Sequence, residues 1–192
     1  MPPRAKFTKE EIAETALRIV EREGLAALTA RSLGAALGSS ARPIFTVFDS
    51  MDDVLYAVNS RAKEIYGKYI EEGLREAVAF RGVGRAYIRF AAERPRLFRL
   101  LFMREQPQIL DKYSVLQGIE EHYDAIIDSI VSGYDVDRPT ALDLYWHLWV
   151  YSHGIAVLLA TKVCAFTDEQ ITEMLSSVFA ALMKEKMRNR RA

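Results

Sequence analysis

Cysteine is nearly absent from this chain: Cys164 stands alone in 192 residues. One thiol closes no internal disulfide and builds no cysteine-rich zinc site, so a disulfide scaffold is excluded and a reducing, cytoplasmic setting is expected. An excess of either charge is lacking as well, with 26 Lys and Arg against 26 Asp and Glu. Affinity for nucleic acid or a membrane must then come from a local patch rather than from the field of the whole chain. The opening segment MPPRAKFTKEEIAETALRIVEREG mixes charged with apolar residues and has no uninterrupted apolar run, which argues against a secretory signal. Catalytic motifs are missing too: there is no glycine-rich phosphate loop, no nucleophile elbow and no HExxH. Without such an arrangement neither an enzyme nor a cofactor is expected.

Apolar material is plentiful. Half of the residues are hydrophobic and 27% are charged, the balance of a globular protein that buries roughly 70% of its unfolded surface at this size. The length suits one compact unit or two docked ones. Apolar residues recur at helical spacing almost throughout, and period-two alternation is hard to find, so the fold is expected to be all-α with about nine helices. Thr8 and Glu11 form a capping box, Phe7 and Ile12 a hydrophobic staple, and Gly24 a stop, which together delimit a first helix. Thr29 caps a short second helix running to Gly38, and Ser40 caps a third ending near Phe48. Ser50 with Asp53 opens a long fourth helix reaching about Ala79. Further breaks are expected before Pro95, around Pro107, over 133–138 and at 165–167, where Thr167 and Gln170 box the start of the last helix. The basic end KEKMRNRRA lacks apolar periodicity and is expected to fray.

Residues 29–48, TARSLGAALGSSARPIFTVF, set two short helices on either side of Leu37-Gly38-Ser39-Ser40. Such a pair is either a plain helical hairpin or a helix-turn-helix, whose second helix enters the DNA major groove. In the second case Arg42 lies at the N-terminal end of that helix, long enough to reach a guanine edge, while Ser40, Ala41 and Thr46 are small enough to allow close approach. Pro43 falls at the third helical position after a Ser40 cap, where its missing N–H has no intrahelical partner. The helix is therefore expected to run through it.

These residues resemble the DNA-binding segment of the tetracycline-repressor-like (TetR) transcriptional regulators. The positions that match are Leu28, Thr29, Arg31, Leu33, Leu37, Gly38, Ser40, Ile44, Phe48, Ser50 and Asp52, and with the preceding amphipathic helix and Leu55, Ala57 and Val58 the likeness covers about residues 7–60. It implies a three-helix helix-turn-helix head at 1–50 and a helical ligand-binding and dimerisation bundle at 51–192. The implied protein is a homodimer that binds double-stranded operator DNA and acts as a repressor released by a small-molecule effector. DNA contacts are expected from Lys6, Thr29, Arg31, Ser40, Ala41, Arg42, Pro43, Phe45, Thr46 and Met51. Four positions depart from the family pattern: Phe45 replaces Tyr, Val47 replaces His or an aromatic, Met51 replaces Lys, and Ser39 replaces an apolar residue. Residues 1–48 carry seven Lys and Arg against five Glu, a modest charge for gripping phosphate. The alternative is a helical ligand-binding or scaffold protein with a degenerate DNA-binding head.

Beyond residue 60 the likeness rests on length, helix number and Trp149 followed by His153-Gly154, similar to a pattern in one branch of the family. It implies an effector pocket, for which Tyr66, Tyr87, Phe90, Phe102, Tyr123, Trp146, Trp149 and His153 are the candidates, suited to a flat or aromatic ligand. Residues 144–161, LYWHLWVYSHGIAVLLAT, contain no Lys, Arg, Asp or Glu, which touches the lower limit for a membrane span. His147, Ser152 and His153 in mid-segment and the lack of a basic flank argue against one. A helix apolar on two faces is buried on both, so one face is expected on its own core and the other in a homodimer interface. Tyr151, Ile155 and Leu158 are assigned to that interface, with Ile171, Leu175, Val178 and Leu182 from the last helix. His147 and His153, six residues apart, point roughly 240° from one another around a helix and cannot share a metal. No metal site is expected, and Cys164 reads as a small buried apolar residue.

Overall fold

The computed structural model describes residues 6–105, 109, 111–112 and 114–189. Among them the fold is all-α, with nine α-helices and no strand: α1 (Lys9–Glu23), α2 (Ala30–Ala36), α3 (Met51–Leu74), α4 (Ala79–Glu93), α5 (Pro95–Phe102), α6 (Ser114–Ile119), α7 (Tyr123–Tyr134), α8 (Arg138–Ala160) and α9 (Asp168–Asn189). They gather into two compact units, one built from residues up to Ile65 together with Arg96–Arg104, the other from Tyr66–Pro95 and the chain from Glu105 onward.

In the first unit α1 opens on the expected capping box: Thr8 Oγ1 accepts from the Glu11 N–H at 3.1 Å and the Glu11 carboxylate accepts from the Thr8 N–H at 2.8 Å. The helix buries Ile12, Ala16, Leu17 and Val20 and ends at Gly24. Thr29 caps α2 by accepting from the Ser32 N–H at 3.1 Å. Leu97, Phe98 and Leu100 of α5 are buried, and the Arg96 guanidinium donates to the carbonyls of Glu21, at 2.9 Å, and Arg22. Those carbonyls close α1 and have no partner within the helix.

The turn after α2 is held by its glycines. Gly38 takes φ +65°, and the Ser39 N–H donates back to the Gly34 carbonyl at 2.9 Å. A Cβ on Gly34 would stand 2.8 Å from the Ser40 carbonyl carbon and 2.9 Å from the Ala41 nitrogen, so only hydrogen fits there.

The third element of the head differs from expectation. Only Ile44–Thr46 winds, as a single 3₁₀ turn. Pro43 supplies no N–H, and the Thr46 hydroxyl donates to the Pro43 carbonyl at 2.7 Å, satisfying the acceptor that the next α-turn would use. The Val47 N–H bonds Ile44 instead, at 3.2 Å. With Ile44, Thr46 and Val47 all β-branched, the segment has little helix propensity to restore the α-turn.

In the second unit α3 stops at Leu74, short of the expected Ala79, because the chain turns back on a contact between two glycine backbones. A Cβ on Gly82 would lie 2.2 Å from the Gly73 carbonyl oxygen, and one on Gly73 would lie 2.7 Å from the Gly82 carbonyl carbon. From this corner α4 packs against α7, α8 and α9. The breaks expected before Pro95, over 133–138 and at 165–167 fall between helices, whereas Pro107 lies outside the described residues. Thr167 and Gln170 form the expected box, with bonds of 2.9 and 3.3 Å.

Two expectations fail here. The segment expected to fray is helical through Asn189, with Lys186 Nζ 2.6 Å from the Asp143 carboxylate and Lys186 and Arg188 favourably placed at the helix C-terminus. Cys164 is exposed, because it sits in the linker beyond Ala160, after the left-handed Lys162 at φ 59°. No helix among the described residues is long and apolar enough to cross a membrane.

Replacing Gly34 by Ala should force the head turn apart and destabilise the protein by about 1–3 kcal/mol. Thermal unfolding of Gly34→Ala beside the unaltered protein measures this, and an unchanged midpoint would contradict the packing described.

Candidate DNA-contact surface and ligand cavity

Around the head turn, Ser40, Arg42, Phe45 and Thr46 are exposed, as are Thr29 and Arg31 at the start of α2. Ala41, Pro43 and Met51 are half-buried. Among the described residues neither Arg31 nor Arg42 makes an ion pair. Thr29 spends its hydroxyl on the cap of α2, accepting from Ser32. Lys6 Nζ donates to Ser39 Oγ at 3.2 Å, so the serine that departs from the family pattern ties the N-terminal arm to the turn. Phe45 remains 45% exposed, a large apolar ring beside Arg42 and Thr46.

The residues assigned to a partner interface distribute differently. Ile155, Ile171 and Leu175 are buried against Ile88 inside the chain, with Tyr151 packed beside them, so these positions belong to the protomer's own core. Val178 and Leu182 are half-buried, and Leu158 is exposed. The reason lies in the periodicity: a stripe at i, i+4 and i+7 marks a buried face but does not say whose helix covers it. On α8 the inward face carries Leu144, Leu148, Ser152 and Ile155, and the outward face His147, Val150, Gly154 and Leu158.

A cavity of about 170 Å³ opens in the second unit. Of the candidates, Tyr66, Tyr87 and Trp149 line it; Phe80, Glu120, Tyr134, Tyr145, Ser152 and Phe179 line it as well, unforeseen from the sequence. Phe90 is fully buried against Tyr66 and Tyr69, and the Tyr123 ring lies tilted by 45° against Tyr145 with centroids 6.2 Å apart. Trp146 stacks on Trp149, which stacks on His153. His153 supports the wall from behind, Nδ1 sharing a hydrogen bond of 2.8 Å with the Tyr87 hydroxyl. Burial depresses the pKa of that imidazole. Phe102 belongs to the first unit, where it packs against Phe98, and takes no part in the cavity.

Glu120 is the buried carboxylate of this cavity, 6% exposed. It follows α6, its N–H closing that helix onto the Leu116 carbonyl at 2.9 Å. One oxygen accepts from the Tyr66 hydroxyl at 2.5 Å and the other from the His122 N–H at 3.0 Å. Burial, the dominant influence, raises the carboxyl above its ordinary range, against the opposing pull of Tyr66 and His122. Burial likewise lifts the hydroxyls of Tyr66, Tyr87 and Tyr145 well above the usual phenol value. All three stay neutral donors at physiological pH.

Residues 80–182 match the tetracyclin repressor-like C-terminal domain, which is more than half of the chain. The protein belongs to the tetracycline-repressor-like family of transcriptional regulators. Over 187 residues it is also 26% identical to an uncharacterized HTH-type transcriptional regulator of Mycobacterium tuberculosis, a match spanning 93% of this chain and 83% of that protein. The family likeness read from residues 7–60 is thus joined by an independent match in the other half.

Because burial raises the Glu120 pKa, the folded protein keeps this proton to a higher pH than the unfolded chain, whose carboxyl releases it near the ordinary value of 4.5. Stability carried by this group is therefore full below that value and is lost as pH rises through the folded pKa. Glu120→Gln, which cannot ionise, should show a melting temperature that gains on the unaltered protein as pH rises above about 4.5 and through the raised folded pKa. A constant difference across the series would mean that Glu120 is not held in an unfavourable charged state.

Proposed function

We propose that this regulator is a homodimeric repressor whose residues 1–50 bind operator DNA and whose residues 51–192 dimerise and take a small-molecule effector. The observation that carries the reading is the coexistence of Arg31 and Arg42, without an ion pair among the described residues, around a glycine-held turn with an aromatic cavity in the other compact unit. Arg42 reads a base edge, most suitably guanine O6 and N7, while Arg31 and Lys6 neutralise phosphate. Phe45 offers no hydroxyl to a phosphate but an apolar ring to a thymine methyl. Release requires that the effector bind the DNA-incompetent arrangement of the dimer better than the competent one, since equal affinity shifts nothing. The dimer is supported by the outward face of α8, where Val150 and Leu158 are 48% and 37% exposed on a stretch without charge. The lack of a membrane-spanning helix among the described residues agrees with a cytoplasmic setting.

Operator and scrambled duplexes titrated across a salt series test the DNA contacts. Arg42→Ala should lose about 1–3 kcal/mol of discrimination between the two duplexes. Arg31→Ala should weaken both alike and lower the salt slope by about one. If neither change matters, the scaffold with a degenerate head becomes the better reading. For the dimer, Val150→Asp combined with Leu158→Asp should convert the sedimenting species to monomer, and an unaltered protein already monomeric at micromolar concentration would refute the interface.

A further inference from the structure

The cavity in the second unit has chemistry more particular than its size. Its walls are the rings of Phe80, Tyr87, Tyr145 and Trp149, and the buried acid among them is Glu120, which a cation beside it would hold in the ionised form. An ionised carboxylate offers about four acceptor positions, and the Tyr66 hydroxyl and the His122 N–H occupy two of them. Acceptor capacity is therefore left over in a site where desolvation makes an unbalanced negative charge costly.

Aromatic rings line the space around it, and a ring that turns its face to a bound cation attracts it. Tyr66, Tyr87 and Tyr145 are neutral, and the His122 imidazole, with Nδ1 3.5 Å from Glu120, is a counter-charge only when protonated. Arg81, the positive side chain on the wall, is exposed, so its charge is spread into water. We propose that the cavity selects an organic cation, an ammonium group set against Glu120 and an apolar body held between the aromatic rings. An anion in the same place would meet both the carboxylate and the ring faces. A neutral ligand would gain the rings but bring no counter-charge to the carboxylate.

This inference rests on reading the cavity as the effector site, and the test separates the two. Calorimetric titration of the full chain uses three probes of one size and different charge: 2-phenylethylammonium, 2-phenylethanol and phenylacetate. The ammonium should bind about tenfold or more tighter than the alcohol, with phenylacetate weakest. In Glu120→Gln the ammonium should fall to the level of the alcohol. Equal affinities for ammonium and alcohol, tightest binding by phenylacetate, or no binding of any probe at millimolar concentration each overturn the proposal. Should Glu120→Gln fail to fold, the ranking on the unaltered protein decides alone. Operator binding is measured in parallel without probes: a protein that binds operator but prefers the alcohol loses only the charge selection. One that prefers the ammonium but ignores operator keeps it and loses the regulator reading.

Discussion

The contact between the backbones of Gly73 and Gly82 sets the position of α4, and the second unit is organised around that helix. With no Cβ on either residue, the end of α3 and the first turn of α4 touch directly. From there α4 delivers Phe80, Val83 and Tyr87 to the cavity wall and Ile88 to the cluster with Ile155, Ile171 and Leu175. A side chain at either glycine would push α4 outward and disturb a cavity and a core together. Packed interiors transmit such a displacement because they have little free volume to absorb it.

The two units treat charge in opposite ways. In the head, arginines stand out into water where a partner can neutralise them, and desolvation costs nothing until the partner arrives. In the cavity, a carboxylate is taken out of water in advance and held by one phenol and one amide. Chain-wide neutrality conceals both, since equal totals of acidic and basic residues say nothing about where each is placed.

Much of the fold was legible because helix ends carry local signals. Thr8 with Glu11, Thr29, and Thr167 with Gln170 each make the cap that their spacing predicts. The head's third element departs from its sequence signals because Pro43, tolerable there for its missing donor, has its carbonyl engaged by the Thr46 hydroxyl. Faces were harder than ends. Ile171 and Leu175 look the same in a sequence whether they cover the chain's own core or a second copy. The cavity was legible in Tyr66, Tyr87 and Trp149 but not in Glu120, whose neighbour Glu121 is exposed. Nothing in the pair Glu-Glu marks one as buried; that follows from where α6 ends and which carboxylate meets the Tyr66 hydroxyl.

The first unit is discontinuous in sequence, interrupted after Ile65 and completed by Arg96–Arg104. On the ribosome, where chains emerge N-terminus first and domains fold as they appear, α1 and α2 therefore come out long before the segment that closes them. The α1 carbonyls that receive Arg96 stay open until α5 is made, and residues 66–95, some thirty in number, separate the two parts of the first unit. A head synthesised in isolation would leave those carbonyls without the Arg96 guanidinium. Truncations that end after α2 or within α3 thus lack a segment of the first unit, and a minimal version would have to supply α5 by another route, such as circular permutation.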